Sequence, residues 1–263
     1  MLHSPQDPTC TLVGCAPPLH SRLSQPRREQ IRWGAYRNIG ARTEESCTQY
    51  NTLKVARHLF TWSADTKLAD YYERALLNGV LGNQNVSGGM AESLEYMLPM
   101  GGAPGPYEPS GIYKPWASAT DGGFPCCWGT LAESFAKLSD SIYFRSPDGI
   151  TLFINLFESS TVVWNGLNVS QTATFPVDLA RTTTIAIFKS DLLQAAGNTT
   201  IAVRVPFWAT GDNSVRVNGE LVPAAQLRPS SYVMLTRSWT VGDEVVVQFP
   251  LSLRFEQIDD PRA

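Results

Sequence analysis

The sequence predicts an α plus β multidomain chain, with a helical part up to about residue 145 and an antiparallel β-sandwich over residues 146–263. Three observations lead there. Before Tyr143, apolar residues recur at helical spacing in three stretches. After Phe144 the apolar period changes to two, in segments rich in β-branched residues. Those segments are divided by Gly, Asn, Asp and Pro turns at the intervals of a sandwich.

Residues 1–30 are rich in Pro, Ser and Arg without a period and are expected to be an irregular lead-in. Thr48 to Trp62 reads as a helix with Leu53, Ala56, Leu59 and Phe60 on one face, and Glu44 and Glu45 stand just upstream, where the helix dipole favours acids. Ala64 to Leu81 repeats the pattern through Leu68, Tyr71, Tyr72, Ala75, Leu76 and Val80, with a stop at Asn78-Gly79 or Gly82, so the two helices form a hairpin. Asn83 to Pro125 is a long loop dense in Gly, Pro and Ser, with one extended candidate at 94–98. Cys127 to Tyr143 is helical again through Leu131, Phe135, Leu138 and Ile142. The strand candidates that follow are ITLFINLF, TTTIAIF, TIAVRVPFW, SVRVNGELV, YVMLTRSW and EVVVQFPLSLRF.

Composition narrows the function. The 263 residues carry 21 basic and 24 acidic side chains, a formal charge of -3, which gives no footprint for nucleic acid or an anionic membrane. No apolar run approaches the roughly 20 residues that cross a bilayer, and the first residues lack the pattern of a signal peptide. Three sequons, at Asn85, Asn168 and Asn198, point the other way, toward the secretory route. The compartment is thus secreted or endomembrane if a preceding segment carries a signal peptide, and cytoplasmic otherwise.

The chemistry concentrates in the cysteines. There are five, at positions 10, 15, 47, 126 and 127, too few and too odd for a disulfide framework. A disulfide between the neighbours Cys126 and Cys127 would strain both the intervening peptide and the S–S torsion. Cys47 and Cys126 stand at predicted helix starts, where the dipole favours a thiolate. If those starts converge, Glu45, Cys47, Cys126 and Cys127 offer one carboxylate and three thiolates, a set that suits tetrahedral zinc. The other reading is that the cysteines pack as small hydrophobes. His58, alone in a predicted helix, reads as a surface or packing residue.

Three stretches then carry a resemblance: TEESCTQYNTLKVARHLFTWSADTKLADYYERALLNGVLG, YMLPMGG and GFPCCWGTLAESFAKLSDSIYF. With ITLFINLFESSTVVW, IAVRVPFWA and SLRFEQIDDPR, they resemble the glycoside hydrolase family 127 β-L-arabinofuranosidases, especially the plant-like branch, over roughly residues 40–262. The resemblance implies an (α/α)6 barrel followed by β-sandwich domains. Residues 31–145 would be the C-terminal part of that barrel, and its earlier helices have no counterpart here. It also implies a zinc ion held by Glu45, Cys47, Cys126 and Cys127, with Cys126 as the nucleophile toward a terminal β-L-arabinofuranosyl unit of a glycan or glycoprotein. Tyr96 resembles a residue that lines the sugar pocket. Glu29 lies at the distance of the family's general acid/base, though within RREQIRW rather than a Gly-Glu-aromatic setting, and its other reading is a solvated charge. Two further expectations stand beside the enzyme: a non-catalytic carbohydrate-binding remnant, and a structural protein whose cysteines only pack.

Overall fold

The computed structural model describes residues 44–83, 97–98, 126–136, 138–174, 182–189 and 197–256. The expected irregular lead-in, Glu29, Tyr96 and Asn85 lie outside that set. Helix α1 (Ser46–Ser63) buries Ser46, Tyr50, Leu53, Ala56 and Phe60, the four-three-three-four spacing of one helical face. Leu59 and Tyr71, expected on the buried faces of the hairpin, are instead 38% and 43% exposed. Phe60 takes the inward position that Leu59 was expected to share.

Ala64, at φ +50°, closes α1 by donating its N–H to the Phe60 carbonyl at 2.8 Å. Asp65 then caps α2 (Thr66–Ala75) by accepting from the Lys67 N–H at 3.0 Å. The expected second helix is present but changes type at Leu76, continuing as a π-helical turn (Leu76–Val80) and a 3-10 turn (Leu81–Asn83). Helix α3 (Cys126–Ala136) is shorter than the run to Tyr143 that its period suggested. Phe135, Leu138 and Ile142 all reach the helical core, yet Ile142 gets there from a turn. The reason is competition: the next residues are drawn into a sheet, and the Ile142 carbonyl accepts from the Asn155 N–H at 2.9 Å. The three helices share one core built on Leu53, Ala56, Tyr72, Leu76 and Val80.

The strands in chain order are β1 (Glu44–Glu45), β2 (Met97–Leu98), β3 (Tyr143–Arg145), β4 (Thr151–Ile154), β5 (Ser160–Trp164), β6 (Leu167–Ala173), β7 (Thr182–Lys189), β8 (Thr199–Val205), β9 (Ser214–Val217), β10 (Glu220–Leu221), β11 (Ser231–Arg237) and β12 (Glu244–Gln248). One sheet runs β11-β8-β4-β3 and the other β10-β9-β12-β7-β6-β5. They pack face to face on a core with Leu152, Ile154, Ile201, Val203 and Val233 from the first and Val169, Ile185, Val215 and Val247 from the second. The expectation of an antiparallel sandwich holds with one exception: β4 and β8 run parallel, because the chain leaves for the other sheet after β4 and returns at β8. Strands β5 and β6 were not among the sequence candidates. Asn165-Gly166 between them, with φ of 48° and 75°, makes the tight hairpin turn, and Asn218-Gly219 does the same between β9 and β10.

The helical hairpin lies on the outer face of the four-stranded sheet. Phe60 meets Phe144 at 4.6 Å and Phe153 at 6.1 Å, and Phe153 meets Tyr232 at 5.2 Å. Under these rings sits a buried ionic knot. Arg204 on β8 is fully buried and donates to Asp70 at 2.5 Å and to Asn155 O at 2.7 Å, with Glu73 at 3.0 Å. Asp70 also accepts from the Phe207 N–H and the Ser230 hydroxyl, and Glu73 from the Trp208 indole at 2.8 Å. Burial works against the guanidinium's charge, but Glu73 and then Asp70 outweigh it, and its pKa is raised.

Removing the cation should therefore cost far more than a surface pair. Arg204→Met leaves two buried carboxylates without their counter-charge, and urea unfolding should show a loss of about 3–5 kcal/mol. A loss below about 1 kcal/mol would show that the knot does not hold the two parts together.

One buried and two partly buried tyrosines give a pH dependence. Burial raises the pKa of Tyr72, Tyr143 and Tyr232, in the last case against the opposing pull of Arg204. The folded state thus prefers the neutral phenol. Stability from these groups is complete below the ordinary tyrosine value near 10 and drains away as pH rises through the higher folded values. Phenolate absorbance followed with circular dichroism should show these three ionising together with alkaline unfolding; titration near pH 10 in a still-folded protein would contradict it.

Candidate active site

The cysteine region is assembled from two helix starts and a short strand pair. Strand β1 pairs antiparallel with β2, placing Glu45 opposite Met97, the residue that follows Tyr96. The chain then turns directly into α1, so Glu45, Ser46 and Cys47 span the strand end and the first helical turn. Glu44 and Glu45 are thus strand residues rather than a free acidic lead to the helix.

Ser46 is buried, and its hydroxyl donates to the Cys127 carbonyl at 3.3 Å across 81 residues of sequence. Thr130 donates to the same carbonyl at 3.0 Å from within α3. One turn further along, the Tyr50 hydroxyl donates to the Glu133 carboxylate. Contacts therefore advance in the same direction along both helices, from Ser46 to Tyr50 and from Cys127 to Glu133. The helices run side by side and parallel, with their N-termini opening at the same end. Two helix-dipole ends then face one region, which favours anions there.

Cys127 is fully buried and Cys47 half-buried. The side chains of Glu45 and Cys126 lie outside the described set, though their backbone positions are fixed by β1 and α3. Among the described residues no group of three or more His, Cys, Asp or Glu side chains gathers to hold a metal. The test of fit for zinc therefore rests on the donor set and the backbone. The Ser46–Cys127 bond brings the Glu45-Ser46-Cys47 segment against the start of α3, and carboxylate plus thiolates is a donor set that zinc accepts. By donor chemistry, these residue types suit the ion. His58 is exposed on α1, away from its buried face, as the sequence suggested.

Sequence reasoning passed over Ser46, Tyr50 and Glu133. Tyr50 and Ser46 carry the 3.6 period of the buried face, a signal that was available; Glu133 carries none, being exposed in α3. A further tie comes from the π-helical turn. Gly79 is buried against α1, and a Cβ there would stand 2.4 Å from the Gln49 Cγ.

The sequence model of the GH127 β-L-arabinofuranosidase catalytic domain matches residues 29–140, and that of the GH127 middle domain matches residues 151–251. These matches put the chain in the class of glycoside hydrolases. More narrowly, it belongs to glycoside hydrolase family 127. Among solved structures, a GH127 β-L-arabinofuranosidase from Geobacillus stearothermophilus T6 is 25% identical, with a TM-score of 0.61, over 81% of this chain and 32% of that one. A glycoside hydrolase structure gives 23% and 0.63, over 77% and 32%. A GH127 β-arabinofuranosidase gives 22% and 0.58, over 78% and 32%. At those identities the last two speak for the fold. The chain spans about a third of the length of the solved structures it matches. None of the curated proteins matches it. No helix among the described residues is long and apolar enough to cross a membrane.

The Gly79 contact yields a stability prediction. Gly79→Ala must push Gln49 in the first turns of α1 and should lower stability by about 1–3 kcal/mol. Gln49→Ala in the same chain should restore most of it. Simple additivity of the two changes in thermal unfolding would mean that the contact is not the cause.

Proposed function

We propose that this chain contributes the cysteine-bearing half of the site of a retaining β-L-arabinofuranosidase. Residues 31–145 would belong to a helical (α/α)6 barrel and residues 146–263 to the sandwich domain behind it. Glu45, Cys47, Cys126 and Cys127 would hold one zinc ion, Tyr96 would line the sugar pocket, and Glu29 would be the acid/base. The observation that carries the reading is the meeting of the two helix starts at the Ser46–Cys127 bond, beside the β1–β2 pair.

The Cys126 thiolate attacks the anomeric carbon, the glycosidic C–O bond breaks, and the leaving oxygen takes a proton from the acid. Water then attacks the same carbon, gives its proton to the carboxylate, and the C–S bond breaks to return the thiolate. Two inversions give net retention, with a cysteine where most retaining glycosidases use a carboxylate. A bound zinc ion would supply a Lewis acid that keeps the thiolates ionised and eases departure of sulfur. Cys127 stays a ligand. The substrate would be an arabinofuranose-bearing glycan or glycoprotein.

A second reading is a non-catalytic carbohydrate-binding or structural role in which the cysteines pack as small hydrophobes, favoured by the complete burial of Cys127. Metal analysis and labelling separate them. The enzyme reading expects about one zinc per chain and a mechanism-based arabinofuranosyl electrophile attached to Cys126. Cys127→Ser should weaken zinc first, while Cys126→Ser should abolish labelling with the fold kept. Zinc without labelling supports the non-catalytic role. An adduct on Cys127, Cys47 or a carboxylate overturns the nucleophile assignment, and a protein that retains no zinc overturns the metal centre.

A further inference from the structure

Two helices that meet at one point can still pivot. The Ser46–Cys127 bond joins α1 and α3 at their first turns, and by itself it leaves either helix free to swing or roll about that contact. A metal site built across the two helices tolerates little of this, since ligand distances vary by only about 0.2 Å around their ideal values. The second point is Tyr50 to Glu133. Tyr50 lies one turn, about 5.4 Å, along α1 from the Ser46–Cys47 segment. Tyr50 is 5% exposed, with the Lys54 ammonium 4.5 Å from its ring centroid. Only its hydroxyl reaches the surface acid Glu133 on α3. A phenylalanine would satisfy the core equally well, so packing does not explain the hydroxyl.

We propose that Tyr50 is a positioning residue for the cysteine centre, its bond to Glu133 acting with the Ser46–Cys127 bond to fix α3 against α1 so that Cys47 and the Cys126-Cys127 pair meet one metal ion. This rests on the zinc reading above. Partners that orient ligands from outside the first coordination sphere typically change metal affinity by about 10–100-fold.

Tyr50→Phe keeps the ring and removes the bond. Zinc affinity, measured by chelator competition, should fall by about tenfold, and the thiolate-to-metal charge-transfer bands of the cobalt-substituted protein should shift or weaken. The melting temperature of the metal-free protein should stay near that of the parent, which a loss of general stability would not allow. Glu133→Ala should reproduce the effect, and Glu133→Gln, which keeps a carbonyl acceptor, should largely preserve affinity. Ser46→Ala tests the first contact in the same way. Tyr71→Phe is the control, because it deletes a comparable hydroxyl bond, to Thr52 at 2.8 Å, on the exposed side of the hairpin. Affinity within twofold of the parent in Tyr50→Phe and Glu133→Ala overturns the proposal, as does an equal loss in Tyr71→Phe. A parent protein that holds neither zinc nor cobalt overturns the metal centre itself and this inference with it. That failure is told apart by appearing before any substitution is made.

Discussion

The guanidinium of Arg204 sits where no water reaches it, and the arrangement of the molecule depends on how its charge is met. A buried cation is tolerated only with opposite charge and full hydrogen bonding around it. Asp70 and Glu73 supply the charge, and both come from α2, whereas the arginine comes from β8. The pairing therefore works only if the helical hairpin lies on the four-stranded sheet in one position. Phe207 and Trp208 donate to the same two carboxylate oxygens that face the arginine, and Ser230 donates to the other oxygen of Asp70; all three come from the sandwich. Apolar contacts alone, through Phe60, Phe144 and Phe153, would allow the hairpin to slide; the charges allow one register.

That register is passed on to the cysteines. With α2 fixed on the sheet, the π-helical turn that follows it brings Gly79 against Gln49 of α1, close enough that a Cβ there would force Gln49 to shift. Helix α1 is then held by α2 on one side and by α3 on the other, and its first turn meets the first turn of α3 at Ser46 and Cys127. The cysteine centre thus lies at the open ends of two parallel helices, backed by a rigid layered body. Vicinal cysteines make sense in that setting, because adjacent residues at a helix start can serve two purposes without a disulfide's strain. In the proposed mechanism one sulfur would stay with the metal while its neighbour turns to the sugar.

By itself the sequence determined the class of each half, the helical face of α1 and most strands of the sandwich. These are local properties: apolar period and turn chemistry at Gly and Asn lie within short windows. The tertiary structure alone decided where helix gave way to sheet after α3, since the pairing of Tyr143–Arg145 with β4 overrides a continuing 3.6 period. It also decided the parallel pairing of β4 with β8, which depends on where the chain returns from the other sheet. Asp70, Glu73 and Arg204 look like ordinary surface charges in the sequence, 131 to 134 residues apart, and only folding brings them together. The same holds for Tyr50 and Glu133. Period and composition report which face of an element is apolar, but not which distant element lies against it, and the energy of a buried charge or a shared hydrogen bond is set by that partner.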